Sequence, residues 1–337
     1  MLGTMRNHLP MVSTFPAFLL LVIHLQIGVV CLSSSGPLAP ALYDFADSLF
    51  ESGNNNPGCH GRFTNGRTVP DVLAELLVLP NPPPYLSFRT SGVITGVNFA
   101  SGGNFVGKCL TLDDQVRLFE SAALNDLQRL FKSSDEFSSY LAKSILALSI
   151  GNNDNILNYL NPTFYNTSKT YKTQPLAKLL LLPLYNRGAR KFIAFEIRPM
   201  GCIPAISRKS KHDGVCDEGS NFLVSYSSQV LQPMLENMTS SLAGSMFIIG
   251  RANSLGYDAI INPSIYGLTN SRNPCCTTCV NGTLPCVPLL TPCPNADKHF
   301  FWDGYHPTDV VSSIRASRCF NDTKVYSPVS IQDLIQI

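Results

Sequence analysis

Charge is scarce in this sequence. Lys, Arg, Asp and Glu make up 14% of its 337 residues and leave a formal net charge of +2, so the composition favours neither nucleic acid nor an anionic membrane as partner. Tryptophan occurs once, at Trp302. There is no internal repeat, no heptad from which an oligomeric state could be read, and no Pro/Ser-rich linker beyond the N-terminal region to mark a second domain. Apolar side chains are plentiful: 45% of residues are hydrophobic, which supports a sizeable core in one large domain.

At the N-terminus, Arg6 and His8 precede an apolar run from Phe15 to Leu32, and Ser33 to Gly36 follow as small residues. A charged start, an apolar middle and a small-residue zone are the pattern of a secretory signal peptide. His24 and Gln26 interrupt the run and its length is marginal for a bilayer, which disfavours a retained anchor. The expected organisation is a signal peptide over residues 1–33 and a single domain over residues 34–337, with no integral membrane span in the mature chain. The expected location is secreted and extracellular, with the cell wall as one such destination. Of 11 cysteines, Cys31 lies in the leader and an even set remains from Cys59 to Cys319, which suits disulfides in an oxidising compartment. Four sequons, at Asn166, Asn237, Asn281 and Asn321, agree with glycosylation of an exported chain.

Strands and helices alternate along the sequence. Pro40–Ala46, Gly92–Ala100, Ser144–Ile150, Lys191–Ile197 and Ser245–Gly250 read as strands, bounded by polar or glycine-containing loops. Helices are expected over Leu112–Lys132, around Pro175–Arg187, and over Asp217–Leu242. Residues 273–293 lose periodicity and read as an irregular loop. This order predicts an α/β fold with a mostly parallel sheet covered by helices on both faces. Such sheets bind ligands beyond the carboxyl ends of their strands. Three of the expected strands end in small or polar clusters, Ala46-Asp47-Ser48, Ser101-Gly102-Gly103 and Gly151-Asn152-Asn153-Asp154. If those strands are parallel neighbours, the clusters converge on one crevice.

Ser48 is thereby a candidate nucleophile. A serine hydroxyl needs a base to take its proton, a group to orient that base, and donors for the oxyanion. His306 has Asp303 three residues before it, a spacing that places both on one side of a helical or turn-like loop. Alone, such a pair is more often a surface salt bridge or cap. Gly102 and Gly103 by themselves suit a tight turn, and Asn153 and Asp154 an Asx-turn or helix cap. Pro307 suits an ordinary helix start, and Trp302 suits packing. A turn that presents an N–H is also how an oxyanion hole is built, so the plain and functional readings coexist.

These segments together resemble the plant GDSL-type esterase/lipases of the SGNH hydrolase superfamily. The similarity runs in order through Phe45–Asn56 (FADSLFESGNNN), Gly96–Gly103 (GVNFASGG), Ser149–Asp154 (SIGNND) and Trp302–Pro307 (WDGYHP), with GRFTNGRTVPDVLAE, GARKFIAF, PMGCIP and NPCC between them. The resemblance implies a flavodoxin-like three-layer α/β/α sandwich. It also implies a Ser48, Asp303 and His306 triad, with an oxyanion hole of Ser48, Asn153 and a glycine, Gly103 being favoured over Gly102. The expected chemistry is hydrolysis of a small-molecule or lipid ester through an acyl-enzyme, without a metal or organic cofactor. Because the imidazole must start neutral, activity is expected to fall as the histidine protonates. The absence of Gly-x-Ser-x-Gly argues against the other large lipase fold.

Two alternatives stand beside hydrolysis: an acyltransferase using the same triad, and a catalytically weak extracellular binding protein. The second is motivated by departures from the family pattern. Ala46 replaces a glycine, which would cost about 1–2 kcal/mol if that position required positive φ. The loops between Asn56 and Gly61 and after Gly103 are short. Glu196 and Arg198, where small residues are usual, are expected to pair as ions. Cys275, Cys276, Cys279, Cys286 and Cys293 could hold zinc, but in an exported chain they favour disulfides. Cys202 with Cys216 is the best single bridge.

Overall fold

A computed structural model describes residues 36–54, 61–87, 94–102, 109–149, 151–156, 160, 181–277, 284–286 and 291–337. The strands are β1 (Leu42–Ala46), β2 (Gly96–Asn98), β3 (Ile145–Ser149), β4 (Lys191–Phe195), β5 (Met246–Gly250) and β6 (Tyr326–Ser327). The principal helices are α1 (Val69–Leu76), α2 (Leu112–Leu118), α3 (Ser134–Lys143), α4 (Glu218–Ser241), α5 (Ala252–Ile261), α6 (Asp309–Asn321) and α7 (Ile331–Gln336). The residues from Pro37 to Ile337 form one unit.

Strands β1 and β3 are buried along their whole length, which explains their near-continuous apolar sequences: a parallel strand covered on both sides has no solvent face to alternate toward. Side chains still alternate between two cores. Tyr43, Phe45, Leu146, Leu148, Phe192 and Phe247 pack with Val116 of α2, Leu141 of α3 and Leu235 of α4. Leu42, Ala46, Ile145, Ala147, Ile193 and Ile248 point the other way, toward Leu73 of α1, Leu255 of α5, Ala316 of α6 and Ile331 of α7. The period of two along each strand therefore yields the expected three layers.

The strand order is β2-β1-β3-β4-β5-β6. The first five are parallel and β6 is antiparallel to β5. An order of 2-1-3-4-5 is that of the flavodoxin-like doubly wound sheet, whose ligands bind at the switch point between its first and third strands. Register then levels the loops that matter. Ala46 sits opposite Ser149 and Asp44 opposite Asn98. Beyond β2 the chain stays beside β1, with the Phe99 amide donating to the Asp44 carbonyl (2.8 Å) and the Ser101 amide to the Ala46 carbonyl (3.0 Å).

Local chemistry sets the helix ends. Thr111 with Asp114 and Ser330 with Asp333 form reciprocal caps for α2 and α7, and Asp217 caps α4, each satisfying amides that a helix start leaves open. The helix expected over Leu112–Lys132 is interrupted by a π turn at Phe119–Ala123. The extra residue falls where the Phe119 ring meets Tyr43, Phe45 and Phe99 at centroid distances of 5.2, 5.6 and 5.9 Å. The Leu-rich helix lies partly outside the described residues, which are helical from 181 to 186. Among the described residues no helix is long and apolar enough to cross a membrane.

Candidate active site

Ser48 follows β1 in a turn that its neighbour shapes. Asp47 accepts from the Leu49 amide at 3.0 Å, and its carbonyl accepts from the Phe50 amide at 3.3 Å. Enclosure of the Asp47 carboxyl raises its pKa, against the Leu49 amide, the Arg198 charge and the Asn152 side chain. Ser48 itself is half-buried.

Its hydroxyl lies 2.9 Å from His306 Nε2, a contact between residues 258 positions apart in the chain. His306 Nδ1 faces both oxygens of Asp303, at 2.9 and 3.0 Å. A carboxylate only accepts, so Nδ1 carries the ring proton and Nε2 is left to accept from Ser48. Asp303 also accepts from the amides of Tyr305 (2.8 Å), His306 (2.8 Å) and Cys286 (2.9 Å). Burial would raise the Asp303 pKa, but His306 and the Tyr305 and Cys286 amides outweigh it and hold the carboxyl below its usual range.

Several positioning groups escaped the sequence reading. Gln115 of α2 reads the Ala46 backbone twice: its Oε1 accepts from the Ala46 amide at 3.0 Å and its Nε2 donates to the Ala46 carbonyl at 2.9 Å. Asn54 donates to the carbonyls of Asn98 (2.9 Å) and Ala100 (2.7 Å), and Asn98 donates to that of Phe50 (2.8 Å). These amides stitch the loop after β1 to the loop after β2. For Asn98 the signal available was a lone polar residue in an apolar run, GVNFA; Gln115, flanked by Asp114 and near Arg117, carried none. Phe63 stacks on the His306 ring, with centroids 5.0 Å apart. Its loop is tied to the start of α6 by Thr64 donating to the Pro307 carbonyl (2.9 Å) and by the Asp309 amide donating to Asn65 (2.8 Å).

The oxyanion candidates fare differently. The Gly102 amide donates to the buried Glu51 carboxylate, so it is engaged elsewhere. Gly103 lies outside the described residues. Asn153 sits in the turn after β3, half-buried, and its side chain makes no hydrogen bond to a described residue. Ala46 ends a strand and is outside the left-handed region, which among described non-glycine residues only Val78 enters; the strain its substitution raised does not arise. The short loops lie at least partly outside the described residues, as do Asn166 and Asn281, whereas Asn237 and Asn321 are exposed.

One expectation is corrected. Glu196 and Arg198 do not pair. The Glu196 carboxylate lies 3.6 Å from Arg251 and accepts from the Asn253 amide at 3.1 Å, while Arg198 donates to the Tyr305 carbonyl. Both residues lie beyond the end of β4 at Phe195, where the period-two alternation of a strand no longer holds, so spacing of two did not secure a contact here. Cys202 and Cys216 are bonded, as are Cys275 with Cys293 and Cys276 with Cys286. Cys275 and Cys293 approach His299 closely enough for a shared metal, but their disulfide leaves no thiolate to bind one. Cys109 and Cys319 are unbonded. Cys59 and Cys279 lie outside the described residues.

The GDSL-like lipase/acylhydrolase family model matches residues 45–318, an interval that opens at the Ser48 turn and closes within α6. GDSL esterase/lipase 7 of Arabidopsis thaliana is 37% identical over 339 residues, covering 89% of this chain and 93% of that protein. A second GDSL esterase/lipase of the same plant is 34% identical over 345 residues, covering 92% and 89% respectively. A third is 32% identical over 338 residues, covering 88% and 91%. With the sheet order, the clustered loops and a family match across most of its length, the chain belongs to the GDSL-like lipase/acylhydrolase family.

Proposed function

We propose that the chain is a secreted serine esterase that hydrolyses carboxylic esters of small molecules or lipids through an acyl-enzyme. Family membership supports ester hydrolysis. The 2.9 Å contact between Ser48 Oγ and His306 Nε2 is the observation that carries the mechanism. His306 takes the hydroxyl proton as Ser48 attacks the ester carbonyl, and Asp303 stabilises the imidazolium that forms. The Ser48 amide, the Asn153 side chain and the Gly103 amide receive the oxyanion. The intermediate collapses as His306 returns the proton to the leaving alcohol. Water, deprotonated by the same imidazole, then releases the acid and restores Ser48.

Secretion is supported by the N-terminal pattern, the three disulfides among the described residues and the exposure of the Asn237 and Asn321 sequons. The negative φ of Ala46 removes one motive for reading the chain as an inactive binding protein. An active-site-directed fluorophosphonate tests the proposal. Wild type is expected to label covalently, and Ser48→Ala, folded to the same circular dichroism spectrum, is expected not to label. Equal labelling of both, or none of either, would remove Ser48 from the role.

A further inference from the structure

Behind the Ser48 turn lies a second cavity of about 20 Å3, whose walls include Ser149, Glu196, Arg198, Ser312 and Arg315. That is room for one body of about the size of a water molecule. Both arginines are buried, at 5% and 7% exposure, and the Nε of each has no hydrogen-bond partner. Arg198 donates from Nη1 to the Tyr305 carbonyl and has Asp47 and Asp303 as acidic neighbours. Arg315 has neither resource: it makes no hydrogen bond or ion pair with a described residue. Its guanidinium is packed so closely under α5 that a Cβ on Gly256 would come within 2.9 Å of Nη2. The acidic groups whose charge would act on it are Cys319 and Tyr326. Burial keeps both neutral, pushing Cys319 up to about 12 and Tyr326 well above its ordinary value. Glu196 also lines the cavity, but its carboxylate is taken up by Arg251 and the Asn253 amide.

A buried guanidinium whose Nε finds no acceptor is costly, and such orphaned groups in native interiors ordinarily mark a water or ion. Arg315 has no ion-pair partner among the described residues, and the one carboxylate on the cavity wall, Glu196, is held by Arg251, which favours an anion over water. We propose that this cavity binds one monovalent anion of halide size, chloride in physiological media, between Arg198 and Arg315. The cavity shares Leu49, Pro307 and Ser312 with the pocket that holds Ser48 and His306, so the anion sits one wall away from the hydroxyl and imidazole.

The test reads binding, not turnover, so its failure leaves the esterase proposal untouched. Wild-type protein is unfolded thermally in sodium chloride, sodium bromide or sodium gluconate at matched ionic strength. A halide-specific, saturating rise in the midpoint is expected, with the unfolding equilibrium constant about tenfold lower when halide reaches ten times its Kd. Arg315→Met is expected to lose that dependence. Wild-type crystals soaked in bromide are expected to show one anomalous peak between Arg198 and Arg315, and this measurement decides alone if the variant does not fold. Equal midpoints in halide and gluconate, with water in the cavity and no anomalous peak there, would overturn the proposal.

Discussion

Ser48 sits in a polar turn and also faces a histidine, and the same doubleness holds for its partners. Asp47 closes an Asx-type turn, and Asp303 gathers the Tyr305 and His306 amides like a cap while holding the His306 ring. Ordinary turn chemistry builds the geometry that the proposed reaction would use. Asn153 is the residue at which this can be measured most directly, because its side chain is bound to no described residue. Removing one oxyanion donor costs on the order of 3 kcal/mol of transition-state stabilisation. Asn153→Ala should therefore lower kcat by at least about 10²-fold with an unchanged unfolding midpoint; steady-state kinetics beside a melting curve checks both halves. Residue types made Ser48, Asp303, His306 and Asn153 legible in the sequence. Gln115, Asn54 and Asn98 were not, since amides that bind backbone from another element carry no mark of their partner.

At the scale of elements, the cysteine-rich loop reads in sequence as a stapled irregularity, and the structure gives it a position. The Cys275 and Cys276 amides donate to the carbonyls of Phe301 (3.0 Å) and Trp302 (2.7 Å), and the Gly304 amide donates to that of Leu284 (3.0 Å). With the Cys286 amide on Asp303, the loop is the scaffold on which the acid of the site rests. The Cys276–Cys286 bridge spans a sequence separation of 10, and closing a loop of that size is worth about 3 kcal/mol in the chain-entropy model. A Cys276→Ser/Cys286→Ser double variant should lose about that much stability in denaturant titrations. It should also lose kcat beyond the loss in folded fraction, since the Asp303 carboxylate gives up a donor. Full specific activity per folded molecule would show that the loop does not position Asp303.

Across the whole molecule, packing the sheet on both faces places a carboxyl where water cannot reach it. Asp44, in the middle of β1, is fully buried. Burial and the nearby Asp71 charge raise its pKa well above the ordinary value, and Asn98 offsets only part of that. A raised native pKa gives stability that is present below the unfolded value, about 3.9, and is lost as pH rises toward the native value. Asp303 has the opposite sign: its lowered pKa gives stability at higher pH that is lost as pH falls through the native value. Asp44→Asn isolates the first effect. The stability difference between variant and wild type should move in favour of the variant as pH is raised from about 4, measured by urea unfolding at a series of pH values. A difference that does not change with pH would show that Asp44 ionises as readily in the native state as in the unfolded one.

The amino-acid sequence by itself determined the layered α/β architecture and the residue types of the site, because apolar periodicity and strand-end clusters are local properties that survive without coordinates. It also determined that Cys202 and Cys216 lay close enough along the chain to bridge. Tertiary structure alone decided which amides were free, since whether Gly102 donates to Glu51 or Arg251 takes Glu196 depends on where separate elements come to rest. The same holds for the meeting of Ser48 and His306: strand order and register bring the two ends of the chain to one crevice, and no local pattern encodes a distance across 258 positions.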